Sequence, residues 1–410
     1  MGGTGQQSDK LKVLFCDPLN TQNWLYVCAK RLRQTGIDAH TILGLDSIVP
    51  DDSLPSWHND DTDASDWVHP LHLPHFAPYK NPIGYLARLK TLIDFARRFD
   101  VIVCSGYAPM WMRWTGKPFI FYSYGSDLDQ LAVQGWSGTD NGPFSLGQRI
   151  FHFLVKYHLT GSLRKAKATV LMPHQIEIAK LVGLKNLHCF PHNIDTQLFK
   201  PMEDQQRRQE KQKAYSGFGC DFILFHPPRQ SWLNRPFTDR KGNDKVFRAF
   251  AKFVDVYKGR AKLLVIRKGW DVESSVDLVH ELEISKYVVW LDPVPGPEMC
   301  CLYNIADIVL DQFVVGVIAL VPVEAMSCGT PVVSYVAPIV KDAQYPEIPP
   351  IINAHDDDEI LKSIHRLAED EDLRNDIGRR GREWIETYCN PEVTGTRWME
   401  LFQQVTRNGK

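Results

Sequence analysis

The chain has 410 residues, 44% of them hydrophobic and 23% charged, with a formal net charge of -2 at pH 7. That length allows two domains of ordinary size, and the near-neutral balance provides no overall basic field to attract nucleic acid. Nine cysteines, an odd number without a CxxC pair, read as reduced core thiols of a cytosolic protein rather than a disulfide framework or a zinc site.

The polar N-terminus "MGGTGQQSDK" has no apolar core of a signal peptide, and no apolar run approaches the roughly 18 residues of a membrane span. "LKVLFC" (11–16) reads as a buried strand. A helix over 24–36 follows, with Leu25, Cys28 and Leu32 on one face and Gly36 as its stop. The connecting "DPLNTQNW" has no GxGxxG, which removes the main signal for NAD or FAD, and no GxxxxGK[ST] occurs anywhere. Asn20 to Asn23 in that loop are ligand contacts or an ordinary turn.

"HNDDTDASDWVHPLHLPHF" brings His58, His69, His72 and His75 close in sequence. Its prolines prevent a helix that would align them on a metal, so a surface loop, placed over an acceptor site, is the expectation and no metal is assigned. Strands at "IDAHTIL", "DVIVCSG", "FIFYSYG" and "ATVLMP" alternate with helices such as 82–98, where Pro82 suits the first turn. "SLGQRIFHFLVKYHLTGSLRKAKATV" carries Ile150, Phe151, Leu154, Val155 and Leu159 beside Arg149, Lys156, Arg164 and Lys165. It reads as a helix packed on the N-terminal sheet, with peripheral contact to an anionic membrane as the alternative.

Residues 201–219 are charged and glutamine-rich, a linker with one solvated helix. "FILFHPP" then restarts the alternation, through "KLLVIRKG", "VVWLDPV", "DIVLDQF" and "PVVSYV", which implies parallel sheets wrapped by helices. The expected organisation is an N-terminal α/β domain over 11–200, a C-terminal one over 218–385 and a final helix within 386–410. Trp384, Tyr388, Trp398 and Phe402 make that end too aromatic to be a free tail. A cleft should lie between the domains at the carboxyl ends of the strands.

Within "VPVEAMSCGTPVV" (321–333) Glu324 is the only charged residue, and a buried unpaired carboxylate is costly, so something polar must meet it. A helix over about 318–328 would turn its N-terminal amides toward an anion in the cleft. Glu324, one to two turns in, would reach a neutral diol.

"ADIVLDQFVVGVIALVPVEAMSCGTPVVSY" resembles the donor-site segment of retaining glycosyltransferases of family 4, which have the two-domain GT-B fold. "HCFPHNIDTQLFKP" (188–201), "KGNDKVFRAFAKF" (241–253) and "YGSDLDQL" (124–131) are similar to further segments of that family. The resemblance implies two Rossmann-like parallel-sheet domains, with a C-terminal helix that crosses back to the first. It implies hexose transfer from a UDP- or GDP-sugar to a glycan or glycolipid, with retention and without metal or other cofactor, in polysaccharide biosynthesis at the cytoplasmic face of the membrane.

By resemblance Glu324 binds the donor ribose, and Lys241 with an arginine neutralises the diphosphate. Arg229 matches that arginine, and Arg235, Arg240, Arg267 and Lys268 are rivals. The family's first glutamate, eight residues before the second, is here Gly316, followed by Val317. Asp311 and Gln312 are expected to replace part of the lost sugar contact. Tyr124, where many relatives place histidine, Gly125, Ser126 and Asp127, with Asn20, are the acceptor-side candidates. Asp127 contacts a sugar or caps its helix. A non-catalytic nucleotide-sugar-binding protein and a nucleotide-sugar epimerase are the rival functions.

Overall fold

The structure, a computed structural model, describes residues 11–18, 24–45, 66–74, 81–133, 146–233 and 236–407. Its first sheet holds β1 (Lys12–Cys16), β2 (Asp38–Gly44), β3 (Val68–Leu71), β4 (Val101–Cys104), β5 (Phe119–Tyr122), β6 (Ala168–Val170) and β7 (Leu187–His188). The strands pair in parallel in the order β3-β2-β1-β4-β5-β6-β7. The second sheet holds β8 (Phe222–His226), β9 (Ala261–Ile266), β10 (Val288–Leu291), β11 (Ile308–Leu310), β12 (Val332–Ser334) and β13 (Ile352–Asn353). Its order is β10-β9-β8-β11-β12-β13, again all parallel. Helices cover both faces of each sheet, so the central strands read as unbroken apolar runs: every residue of β8 is buried.

Each sheet reverses its winding once, between β1 and β4 and between β8 and β11. Ligands of such sheets settle outside the carboxyl ends of the strands that flank the reversal.

The aromatic C-terminus is two helices rather than one, Glu371–Tyr388 and Pro391–Arg407, separated at Cys389 and Asn390. The first packs under the second sheet, where Gly381 lets Met326 approach closely. The second crosses back, and Trp398, Leu401, Phe402 and Val405 join the core formed by β1, β4 and the 24–34 helix. The Trp398 ring meets Phe15, Tyr122 and Phe190 edge to face.

Two further expectations need correction. The 201–219 segment does form a helix, Asp204–Phe218, but polar contacts tie it to the second half. Arg207 donates to the Asn304 carbonyl at 3.0 Å, and the Tyr215 hydroxyl meets Asp307 at 2.8 Å. The histidine-rich segment contains the edge strand β3, not only a loop. His69 on it stacks against His40, with ring nitrogens 3.0 Å apart, while His40 also meets Asp38 at 2.9 Å. His58 and His75 lie outside the described residues. Among those described, no group of three or more His, Cys, Asp or Glu residues is placed to hold a metal ion.

Candidate functional site

The crevice at the β8–β11 reversal is built from a neutral polar scaffold. His226, fully buried at the end of β8, donates from Nδ1 to the Leu310 carbonyl at 2.9 Å and accepts at Nε2 from the Asn243 amide at 2.9 Å. Burial pushes its pKa down to about 4, so it stays uncharged. Asn243 opens the helix Asn243–Val256, and Gly242 before it has φ +73° with Val314 and Phe313 crowding its Cα. A side chain there would be strained and crowded, which accounts for the Lys-Gly pair.

Lys241 is pinned through its backbone, donating to Ser231 at 2.7 Å and accepting from Phe313 at 2.8 Å. Its ammonium is partly buried, and burial, with the nearby Arg229 charge, lowers its pKa to about 8 against the pull of Asp311 and Asp239. Arg229 donates to Asp239 at 3.0 Å and lies 4.6 Å over the Trp270 ring. Among the described residues, Arg229 is thus the arginine whose charge Lys241 feels. Arg267 pairs at the surface with Glu273 at 2.8 Å, Arg240 is exposed, Lys268 is half-buried, and Arg235 lies outside the described residues.

Beyond β11, Asp311 is buried, and its burial raises its pKa to about 6 although Lys241 opposes this. The Gln312 side chain is engaged by the loop itself. Its amide nitrogen donates to the carbonyls of Val317 at 3.1 Å and Tyr335 at 2.9 Å. Its oxygen accepts from the amides of Val314, Val315 and Gly316 at 3.2, 2.8 and 3.4 Å. It clamps the loop that leads into the helix Leu320–Ser327.

Gly316 has φ +75°, and a Cβ there would stand 2.6 Å from the Tyr335 ring and 2.7 Å from Ala337. The family's first glutamate therefore has no room on this backbone. Gly316→Ala should lower stability by about 1–3 kcal/mol in denaturant titration, from the left-handed backbone and the overpacking together. An unchanged midpoint would show that the loop yields freely.

Glu324 is 9% exposed and has a partner within the chain: the buried Tyr303 hydroxyl donates to its Oε2 at 2.9 Å. Burial raises its pKa to about 7, while the Tyr303 bond and the Arg31 charge pull it down. The polar group that its burial demands is thus supplied, in the free protein, by Tyr303. A carboxylate can accept about four hydrogen bonds, so Tyr303 leaves capacity for a diol. Arg31 comes from the other half of the molecule, in the helix Trp24–Gln34, and donates to the Asn193 carbonyl. Next to it, His192 meets the Ile318 carbonyl at 2.7 Å, and burial takes its pKa to about 4. Both side-chain atoms of Asn193 are buried without a hydrogen-bond partner.

On the facing side, Asp127 is buried and gathers two loops. It accepts from the Ser123 hydroxyl at 2.8 Å, the Tyr124 amide at 3.2 Å and the Gly106 amide at 3.2 Å. Its pKa is nonetheless raised to about 7, by burial first. It organises the ends of β4 and β5, and Tyr124, Gly125 and Ser126 stand half-buried beside it. From the same turn Gln130 reaches Asp239 at 3.4 Å, linking the two walls of the cleft. Asn20 lies outside the described residues. Tyr303, Arg31, Asp239 and Trp270 are the site residues that sequence reasoning missed. None belongs to a motif, and only the requirement that Glu324 be met by something polar pointed toward Tyr303.

Residues 235–384 match the family model described as glycosyl transferases group 1. A D-inositol 3-phosphate glycosyltransferase of Corynebacterium jeikeium is 31% identical over 201 residues, covering 47% of this chain and 46% of that protein. A second such protein, from Catenulispora acidiphila, is 29% identical over 37% of this chain and 35% of its own length. The chain thus spans less than half the length of the curated relatives it matches. Among solved structures, Anabaena HepE in complex with UDP and glucose aligns with a TM-score of 0.68 at 15% identity, covering 96% of this chain and 100% of that one. Sucrose-phosphate synthase from Thermosynechococcus elongatus aligns at 0.67 and 15%, covering 97% and 100%. At such identity these neighbours speak to the fold alone. Residues 235–384 thus resemble the glycosyl transferases group 1 family, and the fold is of the GT-B type.

Proposed function

We propose that this protein transfers a hexosyl group from a nucleoside diphosphate sugar to a hydroxyl of a glycan or glycolipid, as a retaining enzyme of the family 4 kind. The observation that carries the reading is the charge arrangement at the β8–β11 reversal. Lys241 feels Arg229 on one side and Asp311 on the other, and the same Asp311 charge is felt by the buried Glu324, so cations and carboxylates share one crevice. In this reading the diphosphate lies against Lys241 and Arg229 and the start of the 320–327 helix, and the ribose diol meets Glu324. As the glycosidic bond breaks, negative charge grows on the leaving diphosphate. Fixed cations in a partly dry crevice stabilise that charge most. These groups supply the positive charge for which other transferases use a metal ion.

UDP-sugar is the preferred donor, because the HepE neighbour was solved with UDP-glucose. All nine cysteines are free, consistent with a reducing compartment such as the cytoplasm. No described helix is long and apolar enough to cross a membrane. Gly316 favours one second reading, a donor-binding protein without turnover. An epimerase gains no support from His192 and His226, whose rings are kept neutral by burial and are tied up on backbone carbonyls.

The test is a thermal-shift series with UDP, GDP, ADP, CMP and their sugar conjugates on wild type and Glu324→Ala. A donor at 100 times its dissociation constant should add about 2.7 kcal/mol of stability to the wild type. A shift with one nucleotide that Glu324→Ala loses supports the donor site. Release of free nucleotide in the presence of an acceptor then separates an enzyme from a binding protein. No shift with any nucleotide on folded protein removes the reading.

A further inference from the structure

The helix Leu146–Leu163 is apolar on two sides, and only one of them is used by the fold. Val155, Leu159 and Leu163 point inward and pack with Leu128 and Leu131 of the turn that carries Asp127. On the outer side Leu146 is 75% exposed, Ile150 53%, Phe153 65%, Leu154 46% and Tyr157 67%. Their spacing places them together along one flank of the helix. Single exposed apolar residues need no explanation, but five large ones on a single helix form a contiguous surface of the kind that binds something.

The charges around this stripe say what. From residue 141 to residue 176 the chain has no acidic residue, and it has five basic ones, Arg149, Lys156, Arg164, Lys165 and Lys167. All five are exposed. In a chain with net charge -2 this is a local concentration of one sign. An apolar flank accompanied by exposed cations, in a segment with no acidic residue, is complementary to a surface that is apolar inside and negative at its boundary.

We infer that the Leu146–Leu163 helix is a docking face for an anionic phospholipid surface, lying in the plane of the interface with Phe153 and Tyr157 inserted. Its inner side supports the Asp127 turn, so the membrane would sit about one helix diameter, roughly 10–12 Å, from one wall of the cleft. The surface inference stands without the transferase reading. If that reading holds as well, the acceptor hydroxyl belongs to a molecule held in the bilayer.

The experiment is sedimentation of the full chain with vesicles, in the absence of any nucleotide or acceptor, so that it does not depend on donor chemistry. Vesicles of phosphatidylcholine alone are compared with vesicles that also contain phosphatidylglycerol, at low and high salt. Wild type should sediment with the anionic vesicles only, and less at high salt. The double variant Phe153→Ser/Tyr157→Ser should bind roughly tenfold or more weakly through lost apolar insertion. The pair Arg149→Glu/Lys156→Glu should bind roughly 30-fold or more weakly. All four side chains are exposed, so unchanged melting and near-ultraviolet circular dichroism should confirm that both variants fold. Equal sedimentation of wild type and variants, equal binding to neutral vesicles, or no binding to either overturns the inference. Concentration-dependent self-association that Phe153→Ser/Tyr157→Ser abolishes also overturns it, by showing that a second copy covers the stripe.

Discussion

Lys241→Ala should lower turnover by about 10²–10³-fold, a loss comparable to that of one preorganised donor at a developing oxyanion. Substrate binding should weaken less, because the charge it offsets grows as the bond breaks. Steady-state kinetics on the identified donor would check this. A KM effect with unchanged kcat would mean that Lys241 merely holds the ground state.

The same lysine makes a second, opposite demand. Burial depresses its pKa to about 8, so the folded state binds fewer protons than the unfolded chain between about 8 and the ordinary value of 10.5. Stability from this group therefore rises with pH through that window, and at neutral pH the charged lysine is a cost to the fold. Lys241→Met should accordingly be at least as stable as wild type while inactive. A clear loss of stability in Lys241→Met would show that its attraction to Asp311 outweighs desolvation.

Glu324→Gln should weaken donor binding by about 30- to 150-fold, the worth of a charge-assisted hydrogen bond of 2–3 kcal/mol. Its pH signature is more diagnostic than its size. With a free-protein pKa raised to about 7, Glu324 must lose a proton before a diol can bond to its carboxylate. Donor affinity should thus climb almost tenfold per pH unit below about 7, level off, and decline again above about 8 as Lys241 loses its charge. A sugar nucleotide is the right probe, because its diphosphate diester does not titrate in this range. Calorimetry from pH 5.5 to 9.5 should show the acid limb vanish in Glu324→Gln and the alkaline limb move upward in Lys241→Arg. Tyr303→Phe removes the bond that holds the carboxylate down, so its acid limb should shift to higher pH. A wild-type affinity that is flat across this range would exclude both groups from the contact.

The apo protein carries the converse signal. Glu324, Asp127 and Asp311 all have folded pKa values raised by burial, so the folded state holds more protons than the unfolded chain from about pH 4 to about 7. Their contribution to stability is full below that range and fades as pH rises through it. His192 and His226 have depressed values near 4 and act with the opposite sign up to about 6.5.

The fold was legible because the central strands are apolar runs and most of the helices keep one apolar face. β3 was not, since a four-residue edge strand with His69 and Pro70 at its centre in place of a β-branched pair carries no period-2 signal. Lys241 and Glu324 stood out through their flanks, and in the structure both feel the charge of Asp311. The roles of Gln312 and Gly316 were not legible, because loop geometry decides them: the amide turns to five backbone groups, and the glycine sits at a φ that sequence does not print. Tyr303 and Arg31 were invisible for a simpler reason. They meet Glu324 from a different helix and from the opposite half of the chain, and no local pattern encodes such an approach.

The last helix closes the first core, with consequences for how the molecule is made. Phe15 and Tyr122 wait for Trp398, which is translated only after every strand of the second sheet. The core of the first sheet is therefore closed by a helix from beyond the second. Until then its sheet presents an apolar face that a chaperone must shield, and a chain that stops near residue 390 never covers it.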